Sequence, residues 1–423
     1  MTHRLTDTAT APGSKLERHA GWFVLVTVTL DAMGLGLLIP VIPVLIQELT
    51  GQGLSQAAVY GGWLTGVFAG VQFFAAPVLG SLSDHFGRRP VLLVSVGAFG
   101  LSYVLMSVAP TLAWLFLAQA LTGLFGATPS TAGAYIADVT PREERTRQFG
   151  GMAAAFGTGL VIGPVLGGVL VAWHTRLPFL AAAALSGVSV LYGFFVLPES
   201  LPPEQRRRFS WRRANPVGAF REVQQFAGAA LLLGVVLLQR IGSGTMPAIW
   251  PYFTMEVYRW TPKTVGWSLA AFGLSTVFAQ AVLIRWFDKR FGSRTTACLG
   301  LACMMAGYTG IALTRDPWVV VVCIPLSTMG FMAGPALASI LSGMAPANAQ
   351  GSLQGVLASV NGAAAIVTPM VIPPVFKAFT APDALLYFPG TPYLLATALA
   401  GLGIMLIFRD ARRMAGDSQD EVT

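Results

Sequence analysis

The stretch GSLSDHFGRRP, residues 80–90, lies between two long apolar segments of the chain. It holds one carboxylate, Asp84, and two guanidinium groups, Arg88 and Arg89, within a single tight turn. Charges placed so closely can pair in one conformation and separate in another. A solvated loop that only carries positive charge beside a membrane is the alternative that composition leaves open. Under both interpretations, the stretch predicts a polar turn between two membrane helices.

The composition of the rest of the chain is that of a membrane protein. Of 423 residues, 54% are hydrophobic and 11% are charged, and the mean hydropathy is +0.64. Soluble proteins carry about 25% charged residues. The 47 glycines lie within apolar runs, which is typical of membrane helices that pack closely. These figures exclude a cytosolic enzyme, a disordered chain, a collagen and a disulfide scaffold.

Apolar runs of about 20 residues can each cross a bilayer. On this basis the sequence predicts an all-α membrane protein with twelve transmembrane helices. The first run lacks a cleavage pattern, so we expect a retained helix and not a signal peptide. The predicted helices begin near Trp22, Tyr60, Pro90, Ala113, Gly150 and Leu177, and then near Phe226, Val265, Thr295, Trp318, Gly355 and Tyr393.

The 27 Lys and Arg residues give the chain a net charge of +8. They lie between the apolar runs, so they predict membrane topology and a lipid bilayer as partner, and not nucleic acid. Of these residues, 21 fall on the side that holds both termini, and Arg240 falls inside a span. By the positive-inside rule, both termini are predicted in the cytoplasm, with the chain in the inner (plasma) membrane. The five on the other side are Arg176, Arg259, Lys263, Arg315 and Lys377.

The two halves of the chain share an offset of 205 residues. It relates Gly87 to Gly292, Gly150 to Gly355, and Pro164 to Pro369. One constant offset at three sites indicates two parallel repeats, an architecture of secondary transporters that bind substrate near the midplane. The predicted organisation is a first six-helix half over 1–197, a cytoplasmic linker over 198–222 that contains Arg206, Arg207 and Arg208, and a second six-helix half with a short cytoplasmic tail over 223–423.

Residues 80–90 match the GxLaDrxGRrxxL signature, and the chain therefore resembles the major facilitator superfamily. A second pattern, in helix five, resembles the antiporter motif of the drug/proton exporters in that superfamily. Further strings, TLDAMGLGL at 29–37, GAYIAD at 133–138 and LAAFG at 269–273, extend the resemblance to the tetracycline-efflux branch over nearly the whole chain. The residues of the helix-five pattern are Gly150, Gly159, Gly163, Pro164, Gly167 and Gly168.

The resemblance implies twelve helices, alternating access and export of drugs in exchange for protons. It also implies a cytoplasmic gate, in which Asp84 lies at the amino end of helix eleven near Gly355, where a carboxylate meets a helix dipole. Arg88 would then pair with Asp138 and close the gate in the outward-facing state. The gate residues are Gly80, Asp84, Gly87, Arg88, Arg89 and Asp138.

The small residues of helix five predict close contact with a neighbouring helix, with a kink at Pro164. An ordinary small-residue packing face is the alternative interpretation of these glycines. It does not explain the full spacing of the pattern.

At four positions the chain departs from the tetracycline exporters. By the resemblance, those exporters carry an Asp in helix three, an Arg in helix four, a His in helix eight and an Asp in helix nine. This chain therefore lacks the charges that the branch uses for a magnesium complex of tetracycline and for its proton path. The residues at these positions are Ser102, Gln119, Thr276 and Met304.

Two ionisable side chains, Asp31 and Arg240, are predicted deep in the spans, roughly 15 to 20 Å from the helix starts at 1.5 Å per residue. An ionised group at the bilayer centre costs about 2.5 to 3.5 kcal/mol on insertion scales, so each should face a cavity or a partner. We expect Asp31 to carry the coupling proton. Arg240 either releases that proton or holds an anionic group of the substrate. The alternative is a permanent Asp31–Arg240 pair that only fixes packing between the halves.

Six further residues predicted within the spans are weaker candidates for the wall of a substrate cavity. Hydrogen bonding between helices, or a position at the membrane interface, is an equally good interpretation of each. These residues are Gln72, Gln119, Gln239, Ser243, Trp250 and Asn361.

The sequence therefore predicts a proton-coupled exporter of amphipathic drugs or metabolites. An exporter of an organic anion, such as a siderophore or a carboxylate metabolite, is the alternative within the same fold. A membrane enzyme or a sensor is not favoured, since no catalytic cluster and no long soluble terminus is found. No nucleotide-binding string, cofactor site or metal site is predicted, and the three cysteines, Cys298, Cys303 and Cys323, are interpreted as packing residues.

Overall fold

The computed structural model describes residues 15–126, 128–141, 143–207, 209, 229–346 and 349–420. In these ranges the secondary structure is helical and no strand is present. This confirms the prediction of an all-α membrane protein. The predicted helix start at Phe226, most of the linker 198–222 and the boundary at residue 222 lie outside the described residues.

The first half of the chain forms eight helical segments. Several predicted starts lie a few residues inside the observed helices, since the first turn of a membrane helix is often polar. The segments are α1 Lys15–Leu38, α2 Ile42–Thr50, α3 Leu54–Phe86, α4 Arg88–Ser107, α5 Leu112–Leu124, α6 Thr128–Val139, α7 Arg145–Leu170 and α8 Leu177–Val196.

The second half forms seven further α-helices, with short 3-10 and π turns at three places. A 3-10 turn, Pro203–Gln205, precedes them; a π-helical turn, Ala279–Leu283, follows α10; and a second 3-10 turn, Met329–Met332, follows α12. The helices are α9 Ala230–Val257, α10 Pro262–Phe278, α11 Ile284–Leu313, α12 Pro317–Thr328, α13 Ala333–Met344, α14 Gln350–Ala378 and α15 Thr391–Asp420.

Nine helices among the described residues are long and apolar enough to span a membrane, or ten if the pair Trp22–Leu38 and Ile42–Thr50, bent by 44°, counts as one span. The 52-residue stretch Pro262–Leu313 is counted once, although Gly292 interrupts it with a non-helical φ of 77°. Leu112–Leu124 is too short to be counted. The predicted number of twelve spans therefore stays a prediction.

Gly87 and Gly292 have nearly the same backbone conformation, with φ/ψ of 107°/160° and 77°/163°. Each ends one long helix and begins the next, in a region of φ that side-chain-bearing residues rarely adopt. Pro164 and Pro369 both lie inside long helices, α7 and α14. The offset of 205 residues thus relates positions of equivalent geometry.

The two halves meet mainly along two pairs of helices, with a smaller contact between α3 and α9. The first-half helices α3 and α7 pack against α14 and α10 of the second half, respectively. Within the first half, α1 lies at the centre and packs against α6, α7 and α8. The two intramembrane charges lie on α1 and α9.

Contact between the halves is tight at one end of the molecule. There Gly62 of α3 lies against the Pro369 carbonyl and Pro373 of α14, and Gly168 of α7 lies against the Pro262 carbonyl. The Ser55 hydroxyl also donates to the Thr380 carbonyl, at 3.0 Å. A side chain on either glycine would collide with backbone, so the helices approach as closely as glycine allows.

At the other end, where the Gly87 turn lies, the helices separate. A methyl group added at Gly80, Gly150 or Gly351 would meet nothing within 4 Å. These glycines lie on α3, α7 and α14, the helices that join the halves at the closed end. Near the Gly87 turn these three helices therefore face open space at these positions, and this end is called the open end below.

Candidate functional site

Asp31 lies in the second half of α1 and is 8% exposed. Neither carboxylate oxygen has a hydrogen-bond partner. Across the described part of the chain, no Lys, Arg or His nitrogen lies within 4.0 Å of it. An ionised carboxylate in such a place carries a large desolvation penalty without a compensating charge. The geometry therefore suits a group that binds and releases a proton.

Polar groups without partners surround Asp31. Tyr103 of α4 is close enough to the Asp31 carboxylate to interact with it electrostatically. The Tyr103 hydroxyl is buried and has no hydrogen-bond partner. Gly34, three residues after Asp31, lies against the same ring, since a methyl there would be 3.1 Å from the Tyr103 hydroxyl oxygen. The hydroxyl of Thr27, one turn before Asp31, is also unpartnered. The first half therefore buries three polar side chains, Thr27, Asp31 and Tyr103, that lack hydrogen-bond partners.

Arg240 lies on α9 and is half-buried, with no hydrogen-bond partner for its Nε. In the described ranges no carboxylate oxygen lies within 4.0 Å of its guanidinium. Gly334 of α13 lies beside it; a methyl there would be 3.3 Å from Nη2 and 3.5 Å from the Gln239 side-chain oxygen. That oxygen is buried and unpartnered as well. The Arg240 guanidinium and the Gln239 side-chain oxygen therefore both lie beside Gly334.

Asp31 and Arg240 do not pair in this conformation. Neither side chain has an ionic partner among the described side chains. The permanent pair that the sequence left open as an alternative is therefore absent here.

The weaker cavity candidates divide into two groups. Gln72 donates to the Gly126 carbonyl at 2.6 Å, and the fully buried Trp250 donates to the Ser268 hydroxyl at 2.8 Å. Gln239 donates to the Gly330 carbonyl at 3.3 Å. These three side chains join helical segments in this conformation, as the alternative interpretation expected.

The remaining candidates are less constrained. Asn361 on α14 has a buried side-chain oxygen without a partner, and the Ser243 hydroxyl donates to the Arg240 carbonyl at 3.3 Å. Gln119 on α5 is half-buried. Asn361 and Gln239 are therefore the two candidates with a buried acceptor oxygen that lacks a partner.

The predicted gate residues form a charge cluster within the first half. The Arg88 guanidinium contacts Asp84 at 2.6 Å and Asp138 of α6 at 3.1 Å. It also donates to the Ser83 hydroxyl at 3.2 Å. Arg89 donates to the Phe194 carbonyl at 2.6 Å. Asp84 therefore contacts Arg88 of its own half in this conformation, and its expected place at the amino end of helix eleven stays a prediction.

Sequence reasoning did not assign a role to Glu199, which the structure places in the same cluster. Its Oε1 accepts hydrogen bonds from the backbone nitrogens of Arg88, Ser200 and Leu201 at 2.8, 3.0 and 3.1 Å. A carboxylate just after a span, in an otherwise basic stretch, was the available signal. Tyr103 was missed because nothing in the sequence near it marks it as a neighbour of Asp31.

The glycines of the helix-five pattern lie on two faces of α7. Gly159, Gly163 and Gly167, four residues apart, lie against the α1 backbone at Thr29, Met33 and Leu37. On another face, the Pro164 carbonyl meets Gly266 of α10. Gly150 is the exception, since nothing lies within 4 Å of a methyl added there. The explanation by close helix contact is therefore wrong for Gly150 in this conformation.

The four positions that depart from the tetracycline exporters carry no charge in the structure. Ser102 and Thr276 donate to the backbone carbonyls of their own helices, at Ala98 and Phe272. Met304 is fully buried, and its side chain packs against Gly330. Within the described ranges, no group of three or more His, Cys, Asp or Glu residues is placed to hold a metal ion.

Comparison with known proteins agrees with this architecture. The family model of the Major Facilitator Superfamily matches residues 24–369 and 231–421. The chain is 39% identical to the class C tetracycline resistance protein of Escherichia coli, over 84% of this chain and 89% of that protein. It is 35% identical to the class G protein of Vibrio anguillarum, over the same shares of the two chains.

Solved structures show the same fold at lower identity. The nucleoside transporter NupG superposes with a TM-score of 0.74 at 14% identity, covering 94% of this chain and 98% of that chain. The human organic anion transporter MFSD10 (TETRAN) superposes with a TM-score of 0.68 at 20% identity, covering 93% of this chain and 99% of that chain.

Proposed function

Since this chain belongs to the major facilitator superfamily, we propose that it exports amphipathic drugs or metabolites from the cytoplasm in exchange for protons. Membership of the family makes it a multi-pass membrane transporter of small molecules, and not an enzyme. Proton coupling, the substrate class and the placement of both termini in the cytoplasm of the inner membrane belong to the proposal.

The observation that carries proton coupling is the unpaired carboxyl of Asp31. A buried acid with neither a cation nor a hydrogen-bond donor is least costly when it is neutral. Contact with water or with a charge in another conformation would favour the ionised form. Alternating access would supply such a change, because it opens the cleft first at one end and then at the other. Asp31 is therefore proposed to bind a proton in one state and release it in the other.

The difference between the closed end and the open space at the Gly87 turn supports alternating access. The same three helices that contact the other half at the closed end face open space at this end. Most Lys and Arg residues lie on the side of this turn, which supports its assignment to the cytoplasm. This conformation would then receive substrate from the cytoplasm.

Tetracycline is the first substrate to test, because the relatives at 35–39% identity are named tetracycline resistance proteins. A second candidate is an organic anion. The half-buried Arg240, whose guanidinium has no carboxylate partner among the described residues, supports it, since a cation without a counter-charge is expected to bind one. The uncharged Ser102, Gln119, Thr276 and Met304 weigh against a magnesium–tetracycline complex held as in the relatives.

The test is efflux from proteoliposomes with an imposed pH gradient, run with a tetracycline, a cationic drug and a carboxylate metabolite. For the normal protein, we expect transport of at least one of the three to depend on the gradient. Asp31→Asn should lose that dependence while still exchanging substrate down its own gradient, because an amide cannot take up a proton at this position.

Asp410→Asn is the matched control. Asp410 is as deeply buried as Asp31, but it is paired with Arg294 at 2.8 Å. Its substitution should lower stability and leave the proton dependence intact. If Asp31→Asn instead kept its full dependence on the pH gradient, the coupling role would be excluded.

A further inference from the structure

Glu199 lies two residues after the C-cap of α8, where the chain leaves the first half. Its Oε1 accepts three backbone hydrogen bonds, of which the shortest, 2.8 Å, comes from Arg88. Arg88 is the first residue of α4, so this bond satisfies a free backbone N–H at a helix start with a negative charge. Glu199 therefore holds the α4 terminus and the segment after α8 in one fixed geometry.

Because Gly87 has no side chain, the Glu199 carboxylate can occupy the space beside it. A methyl added at Gly87 would collide with the Glu199 carboxylate, whose Cδ would lie 2.7 Å away. Gly87 also has a φ of 107°, which a side chain would disfavour. The glycine thus permits both the turn and the approach of Glu199.

The residues after Glu199 are bound to the same surface. The Ser200 hydroxyl donates to Asp138 Oδ2 at 3.3 Å, and Tyr135 of α6 donates to the Pro198 carbonyl at 3.0 Å. The Arg207 backbone nitrogen donates to the Asp84 carbonyl at 3.0 Å. The start of the predicted linker therefore belongs structurally to the gate cluster.

We propose that Glu199 is a positioning residue of the gate. It fixes the backbone of the Gly87–Arg88 turn, and this backbone sets where the Arg88 guanidinium lies between Asp84 and Asp138. The segment from Pro198 to Arg207 acts as a strap that makes the turn, α6 and the end of α8 one rigid unit. When the open end of the cleft closes, this unit meets the second half in a defined position.

The test measures how open this end is and how fast the protein transports. A single cysteine introduced as Gly351→Cys, with Cys298, Cys303 and Cys323 replaced by Ser, reports access, because Gly351 is exposed at the open end. Its rate of maleimide labelling is measured in the full-length protein in proteoliposomes, beside the transport kinetics. The variants are Glu199→Ala and Glu199→Gln.

Glu199→Ala should raise the labelling rate several-fold, because the closed state loses its positioned gate. It should lower kcat by about tenfold with KM within about twofold, since the substrate site is elsewhere. The labelling rate and kcat of Glu199→Gln should lie between those of Glu199→Ala and those of the unsubstituted protein. The reason is that the Gln amide oxygen still accepts backbone hydrogen bonds but carries no charge. A structural defect alone would instead lower thermal stability without changing labelling or transport per folded molecule.

Glu204→Ala is the control, an exposed carboxylate in the same strap. It should match the unsubstituted protein in labelling and kinetics. The proposal is overturned if folded Glu199→Ala behaves like Glu204→Ala. It is equally overturned if Glu199→Gln and Glu199→Ala lower thermal stability while labelling and transport per folded molecule stay unchanged.

Discussion

Buried charges in this protein occur in two kinds of surroundings. Asp410, with 4% of its side chain exposed, is paired with Arg294, and Arg88 lies between two carboxylates. Asp31 and Arg240 have no such partners. A buried charge that is already paired has little to gain from a ligand, whereas an unpaired one can be neutralised by a proton or by a substrate. The two unpaired residues are therefore where transport chemistry is expected.

Arg240→Ala should reduce transport of anionic substrates and spare cationic ones. A charge-assisted hydrogen bond contributes about 1.5–3 kcal/mol, so kcat/KM for an anion should fall roughly 10- to 150-fold. Competitive uptake with matched anionic and cationic substrates measures this. Arg240→Lys should recover part of the activity, because it restores the positive charge but not the planar guanidinium that can form two parallel hydrogen bonds to a carboxylate.

Arg315→Ala is the control for that substitution, since Arg315 is an exposed arginine between α11 and α12. It should leave both substrates unaffected. Equal losses for the anion and the cation in Arg240→Ala would instead show that Arg240 serves packing and not recognition.

At the scale of elements, α7 determines how closely the first half packs. Gly159, Gly163 and Gly167 lie one turn apart and bring its backbone against α1. Gly168 and Pro164 face α10 of the other half. One helix thus supplies both an internal contact and a contact between halves. Motion between the halves can therefore reach α1, which carries Asp31.

Gly163→Val should destabilise the first half. A Cβ at this position would lie 2.6 Å from the Met33 carbonyl oxygen and 2.9 Å from Gly36 Cα, so the helices must separate. Overpacking of this kind costs about 1–3 kcal/mol. The loss is measured as a lower midpoint of thermal unfolding for the protein in detergent.

Gly150→Val is the matched control on the same helix, because a Cβ there meets open space. It should lower the unfolding midpoint far less than Gly163→Val. Equal losses would mean that helix propensity, and not contact with α1, explains the effect of both substitutions.

At the scale of the whole molecule, the same type of contact between a carbonyl and a glycine occurs at two places in the closed end. The Pro164 carbonyl of α7 meets Gly266 of α10, and the Pro369 carbonyl of α14 meets Gly62 of α3. Pro164 and Pro369 are related by the 205-residue offset. The repeat therefore gives the protein a symmetric seal, made of a carbonyl against a glycine in each helix pair.

Gly62→Val should weaken this seal and favour the state that is open at that end. A strain of about 1–3 kcal/mol in the closed arrangement would shift the ratio of the two states roughly 5- to 150-fold. Spin labels attached at Gln52 and Asp383, exposed residues on either side of the seal, measure this shift. In pulsed electron resonance, the population with the longer distance between the two labels should increase.

Gly70→Val is the control, two turns along the same helix at a position that faces open space. Its distance distribution should match that of the unsubstituted protein. A distribution for Gly62→Val that also stayed unchanged would show that the Gly62 contact does not hold this end closed.

The order of residues was enough to predict the membrane class and the polar turn at residues 80–90, while the two-repeat organisation and the depth of Asp31 and Arg240 stay predictions. These follow from hydropathy, spacing and charge, which are properties of neighbouring residues along the chain. At Gly87 and Gly292, which the sequence related only by their offset, the structure then showed nearly the same backbone conformation.

Contacts between distant segments could be decided only by the tertiary structure. It placed Tyr103 beside Asp31, left Arg240 unpaired, joined Glu199 to Arg88, and left Gly150 without a neighbour. Each of these outcomes depends on which helix faces approach, at what depth, and in which state of the cleft. Hydropathy along the chain carries no information on that approach, because every face of a membrane helix can be apolar, whether it meets lipid or another helix.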